Sequence, residues 1–127
     1  MSSSTPGQTN LGVASNVGGL LCYVPCCIGL IFSIVAAIVE KQSKFLRFHA
    51  FQSILLHAAG FAIGIGIQVL NIVLAMIHLG IVGLLLSLVA LLVGVGFLGI
   101  SIFLMIKAFG NEETELPVIG SMARGWA

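Results

Sequence analysis

Along the chain, apolar side chains form long stretches parted by short polar ones. From Phe48 to Ile106, about 59 residues pass without an Asp, Glu, Lys or Arg. A water-exposed surface needs charge and the hydrocarbon core of a bilayer excludes it, so this run predicts membrane-embedded helices, at about 20 apolar residues per crossing. An earlier apolar stretch, residues 17–39, ends at Glu40, Lys41, Lys44 and Arg47. If a second helix starts near Phe45, then His49, Ser53, His57, Gly60, Gly64, Gln68, Asn71, Ala75 and His78 follow at steps of three and four. They occupy a sector of about 100°, so one unbroken helix collects them on a single face. His78-Leu79-Gly80 then reads as a turn. The pattern predicts an all-α membrane protein with three transmembrane helices over about 17–39, 45–77 and 81–108. Gly110 stands where a left-handed helix cap is expected.

Charge sets the expected orientation. Three crossings put Lys41, Lys44 and Arg47 on the same side as Lys107 and Arg124, leaving the far side without side-chain charge. The positive-inside rule then places the N-terminus outside and the C-terminus in the cytoplasm. Residues 1–16 form an uncharged Ser/Thr/Gly/Asn-rich tail with no basic region of the kind a cleaved signal carries. Residues 17–109 form the helical domain, and residues 110–127 a cytoplasmic tail that begins acidic and ends in Trp126, a residue that favours the headgroup layer. Pro117 forbids a helix through that tail. With 59% hydrophobic and 7% charged residues there is no basic patch for nucleic acid.

The candidate chemistry is sparse. Arg47, Phe48, His49, Phe51 and Gln52 open the second helix. There Arg47 can meet a lipid phosphate or Glu40 while the phenyl rings enter the acyl region, a docking element for lipid or a partner, or more plainly an interfacial anchor. His57 is the candidate cofactor contact: a neutral imidazole inside a membrane helix can ligate a chlorophyll-type pigment or meet a quinone, or simply bond a neighbouring helix. His78 lies roughly 30 Å further on and cannot share a metal with it. Cys22, Cys26 and Cys27 flank Pro25, but no second pair completes four metal ligands, so they read as packing residues. Gly94-Val95-Gly96-Phe97-Leu98-Gly99 spells a dinucleotide-binding fingerprint without the strand and downstream acid that give it meaning. With Gly83, Ser87 and Ala90 it reads as a smooth helix face, matched by Gly60 and Gly64. No catalytic set is present, so no enzyme activity is expected.

The stretch Glu40-Lys41-Gln42-Ser43-Lys44-Phe45-Leu46-Arg47-Phe48-His49-Ala50-Phe51-Gln52-Ser53, with Leu21-Cys22-Tyr23-Val24-Pro25 before it and Leu116-Pro117-Val118-Ile119-Gly120 after it, resembles a widespread family of small bacterial membrane proteins. That family is uncharacterised and is grouped with the Tic-twenty-like subunit of the chloroplast inner-envelope import translocon. The resemblance covers roughly residues 17–125 and implies a compact helical membrane fold, no established catalysis and a place in a bacterial plasma membrane. The resulting expectation is an accessory subunit, packed among other integral subunits and lipids of a larger complex, with a photosynthetic or respiratory complex as a natural host. A translocon- or transporter-like component and a lipid-binding protein are the alternatives.

Overall fold

The computed structural model describes residues 9–25 and 27–127. The described residues are helical or irregular, without strands: α1 (Ser15–Cys22), α2 (Cys27–Val39), α3 (Lys44–Met76), α4 (Gly80–Phe109) and α5 (Ile119–Trp126). Only α3 and α4, of 33 and 30 residues, are long and apolar enough to cross a membrane.

The first apolar stretch does not cross, which corrects the expected third span. Pro25 has no amide hydrogen and restricts Val24 before it, so the helix stops after Cys22. The chain then turns back. Gly18 lies against Leu46, Gly19 against Phe45 and His49, and the Ser53 hydroxyl donates to the Cys22 carbonyl, so α1 runs alongside α3 in the same direction. α2 then returns, packed so tightly that a Cβ on Gly29 would overlap the Val24 carbonyl. At 8 and 13 residues neither arm spans a bilayer. The hairpin tip, at Pro25, reaches only the depth of Leu56 and His57 on α3.

The described residues before α1 likewise lie beside the charged loop, where the expected topology put that part of the chain opposite it. The Asn10 side chain accepts from the amides of Lys41 (2.6 Å) and Gln42 (3.1 Å), and its own amide donates to Glu40 (2.6 Å). Asn16 donates to the Phe109 carbonyl at the end of α4 (3.1 Å). Residues before α1, the loop 40–43, and the end of α4 therefore share one polar end. Residues 1–8 of the expected tail, and Cys26, lie outside the described residues.

The loop at that end is closed by its own polar groups. Glu40, fully buried, accepts from the amides of Gln42 (2.8 Å) and Ser43 (2.9 Å) as well as Asn10, and the Ser43 hydroxyl caps α3 by accepting from Leu46 (3.1 Å). Arg47 donates to the carbonyls of Ala37 (3.0 Å) and Glu40 (2.8 Å), satisfying the last turn of α2.

Both long helices end in the same way. After α3 the amide of Leu79 bonds the Leu74 carbonyl and that of His78 bonds Ala75, with His78 at φ 63°. After α4 the amide of Glu112 bonds Lys107 and that of Asn111 bonds Ala108, with Asn111 at φ 63°. These are Schellman closures, and the left-handed residue of the second is Asn111 rather than the expected Gly110, whose φ is −81°. Asn tolerates that conformation better than most residues with a Cβ. A histidine pays more, so His78→Gly is expected to raise stability in detergent by about 0.5–1 kcal/mol, and His78→Val to lower it, as read from unfolding titrations.

Candidate functional site

Tyr23, the only tyrosine, enters an apolar hairpin and must find a partner for its hydroxyl. It meets two side chains of α3 that lie one turn apart. Its hydroxyl is 2.8 Å from His49 Nδ1 and accepts from Gln52 Nε2 at 2.8 Å. On the other side of the imidazole, Nε2 is 3.1 Å from the Glu112 carbonyl. A carbonyl can only accept, so the neutral ring carries its proton on Nε2, and Nδ1 accepts from the tyrosine hydroxyl. Gln52 continues the chain: Nε2 also donates to the Thr114 carbonyl (2.9 Å), and Oε1 accepts from the Leu116 amide (2.9 Å). Every donor in the sequence Leu116–Gln52–Tyr23–His49–Glu112 meets an acceptor, and Tyr23, His49 and Gln52 are buried. The phenyl rings of Phe45 and Phe48 stand edge-on to His49 at 4.6 and 5.2 Å.

The clamp thus ties the irregular segment after α4 across α1 and α3, and α5 closes over it. Trp126 packs edge-on against Phe51 (5.9 Å) and the Arg124 guanidinium lies 4.4 Å from the Phe48 ring centre. Arg124 also pairs with Glu113 (2.6 Å) and with Glu115. These bonds, that to Glu113 first, hold its pKa above the ordinary arginine value. A Cβ on Gly120 would lie 2.6 Å from the Glu115 Cβ, so only glycine allows α5 this close.

This changes the role of the expected docking element. Phe48, His49 and Gln52 are not at a lipid surface: α5 and residues 112–116 fold back over them and bury them. Arg47 meets the main chain of Glu40 rather than its carboxylate, and comes within 3.5 Å of the Trp126 carbonyl. Residue order assigned no role of its own to Tyr23, which lies within the Leu21–Pro25 stretch, or to the main-chain partners at 112–116. The one signal for Tyr23 was a lone phenol amid apolar residues.

The other candidates lie further from the polar end. His57 lines a groove of about 360 Å³ between α3 and α4, with Pro25 at its polar end. Gly60 has Phe97 against it, whereas a Cβ on Gly64 or Gly94 would meet nothing within 4 Å. Beyond the groove, Asn71 donates to Ser87 (3.3 Å) across the helices, and Gly83 leaves room for the Asn71 carbonyl oxygen. His78 is exposed at the turn. Cys22 is buried and Cys27 exposed, and no group of three His, Cys, Asp or Glu among the described residues could hold a metal ion.

Comparison with known proteins gives the relationship. The model of the magnetosome magnetite crystal formation protein family matches residues 7–123. A UPF0132 membrane protein of Methanocaldococcus jannaschii is 38% identical over 95% of this chain and 96% of its own length. A UPF0132 membrane protein of Archaeoglobus fulgidus is 37% identical over 85% of this chain and 90% of its own. No solved structure matches. The bacterial family and the import-translocon link expected from the Arg47–Ser53 segment are thereby overturned: these relatives are archaeal UPF0132 membrane proteins, and no link to a translocon subunit is shown. The matched region spans the clamp, from Tyr23 to Leu116.

Proposed function

This chain belongs to the magnetosome magnetite crystal formation protein family, and on that footing we propose that it is a non-catalytic membrane component, a two-helix anchor carrying a rigid polar cap that packs with other integral subunits. The observation behind this reading is the contrast between its ends. The polar end satisfies itself through the clamp and the closed loop. Beyond the hairpin tip, α3 and α4 expose Phe61, Ile65, Ile72, Met76, Ile81, Leu84, Leu91 and Leu92 on a bare helix pair. Such a pair buries too little to stand in water, so lipid and neighbouring helices must cover it. We place α3 and α4 across the membrane with the polar end in the cytoplasm, since every cation lies at that end.

The test is mild-detergent extraction from native membranes, followed by native electrophoresis and mass spectrometry. Co-migration with other integral subunits is expected; migration as a monomer with lipid alone would sink the packing role.

Lipid contact belongs to the same reading. Among the described residues Glu40 is taken by amides, Glu112 by Lys107, and Glu113 and Glu115 by Arg124. Among the described residues no ion pair joins a carboxylate to Lys41 or Lys44, both exposed, so their charge is left for anionic headgroups, with Trp126 nearby against Arg47 at headgroup depth. Lys41→Gln together with Lys44→Gln is expected to weaken retention of phosphatidylglycerol roughly 30-fold in native mass spectrometry, at about 1 kcal/mol per cation.

The family's description concerns magnetite crystals. With its carboxylates engaged by amides and cations, the chain's part in any such process is that of a scaffold in the membrane rather than an iron ligand. A transport path along the polar stripe has less behind it, because Asn71 and Ser87 bond one another and His57 faces an apolar groove.

A further inference from the structure

The groove between α3 and α4 has a polar group whose hydrogen-bonding sense is already decided. His57 Nδ1 lies 2.8 Å from the Ser53 carbonyl, one turn back on its own helix. A carbonyl only accepts, so Nδ1 carries the proton, and in the neutral imidazole Nε2 is left with a lone pair. The Ser53 hydroxyl, 3.3 Å from Nδ1, donates to the Cys22 carbonyl and does not compete for it. Among the described residues Nε2 has no hydrogen-bond partner. The ring is half-buried on a groove walled mainly by apolar groups, among them Phe61, Phe97, Gly60, Gly64 and Gly94, with Ser101 also on its lining.

We propose that this groove binds the ring of a membrane-soluble aryl alcohol, a lipophilic phenol or hydroquinol, whose hydroxyl donates to His57 Nε2. The deduction deepens the proposed membrane placement and rests on it for the ligand's route, since an apolar ligand reaches a groove between membrane helices from the lipid. Four features select this class. An acceptor nitrogen demands a donor and gives nothing to a quinone carbonyl or an ether oxygen, which only accept. The volume of about 360 Å³ holds a substituted ring and the start of a tail. The groove is made by missing side chains, because a Cβ on Gly64 or Gly94 would stand in open space. Phenyl rings flank the nitrogen: Phe61 is 6.4 Å from the imidazole centre, and Phe97 reaches within 3.5 Å of where a Gly60 Cβ would sit, so a flat ring finds aromatic faces.

The experiment compares 4-octylphenol with 4-octylanisole, which differ by one O-methyl group that leaves the anisole unable to donate. Binding of each to the full-length protein in detergent is measured by equilibrium dialysis. The phenol is expected to bind at least tenfold tighter than the anisole, and His57→Leu to remove that difference. Gly94→Leu, which fills the groove from the opposite helix, is expected to abolish binding of both. Nitrogen NMR of labelled histidine should show the His57 Nε2 resonance moving with phenol and not with anisole. Equal affinity for the two probes, a preference that survives His57→Leu, or unchanged binding in Gly94→Leu would each overturn the proposal. If His57→Leu does not fold, the probe pair on the unaltered protein and Gly94→Leu decide it. The scaffold reading is judged separately by native electrophoresis, so either can fail without the other.

Discussion

Replacing Gln52 by leucine is expected to release the C-terminal segment from the rest of the protein. The leucine keeps the volume but removes the acceptor for the Leu116 amide and the donor to the Thr114 carbonyl and the Tyr23 hydroxyl. Stranding main-chain groups in a buried site costs about 1–3 kcal/mol each, so the expected loss is roughly 3 kcal/mol and falls first on the tether. Amide exchange at Leu116 should accelerate, and trypsin should cleave after Arg124 faster than in the unaltered protein. Gln52→Glu keeps the acceptor and loses the donors, and should fall between. Unchanged exchange at Leu116 in the leucine variant would show that the clamp does not hold the segment. His49 cannot take over, because its own bond to residues 112–116 ends on Glu112, four residues upstream.

The second large effect is expected at Gly120. Valine there would drive a Cβ to 2.7 Å from the Glu115 Cα and 2.9 Å from Gln52 Oε1, both held in place by the clamp. Neither is the free end of a side chain, so α5 must move instead. Overpacking of this kind costs about 1–3 kcal/mol. Phe48 would lose the Arg124 guanidinium above it and Phe51 would lose Trp126. Thermal unfolding in detergent should fall by roughly 8 °C, and Trp126 emission should shift to the red as its ring leaves Phe51. An unshifted emission spectrum would mean that α5 docks without needing this close approach. The two variants differ usefully: Gln52→Leu unties the segment, whereas Gly120→Val leaves the tie intact and pushes the helix off.

Some of this was readable from residue order alone. The long charge-free run gave two apolar helices and the turn between them, because excluding charge from hydrocarbon is a property of composition and length. The polar stripe on α3 required one unbroken helix, and α3 is one, from Lys44 to Met76. Stripe geometry also put Ser53, His57, Gln68 and Asn71 on a common face, where Asn71 now meets α4 and Ser53 meets α1.

Other features were not readable, for specific reasons. The stretch 17–39 has the length and apolarity of a span, and hydropathy does not distinguish a crossing from a hairpin. Pro25 marked the break, yet many membrane helices tolerate a proline where neighbours satisfy the freed carbonyl. Here the Cys22 carbonyl is satisfied by hydroxyls that Ser33 and Ser53 bring from two other helices, which only the folded chain assembles. His49 and Gln52 looked interfacial because their sequence neighbours are charged and aromatic. What buries them is a segment more than sixty residues away, and its contacts to them run mostly through main-chain atoms that carry no sequence signature.

By itself, then, the sequence determined the solvent: where charge is absent the chain must leave water, and where it returns the chain must come back. It also determined the helical period on α3 and the polarity of each end. The tertiary structure alone decided that the first apolar stretch turns back at Pro25, that Tyr23, His49 and Gln52 form one clamp, and that His57 offers an acceptor rather than a donor to the groove. The first two depend on which long-range partner a polar group finds and the last on a carbonyl one turn back on α3, and hydrogen bonding in an apolar interior permits only the arrangement in which nearly every such group finds one.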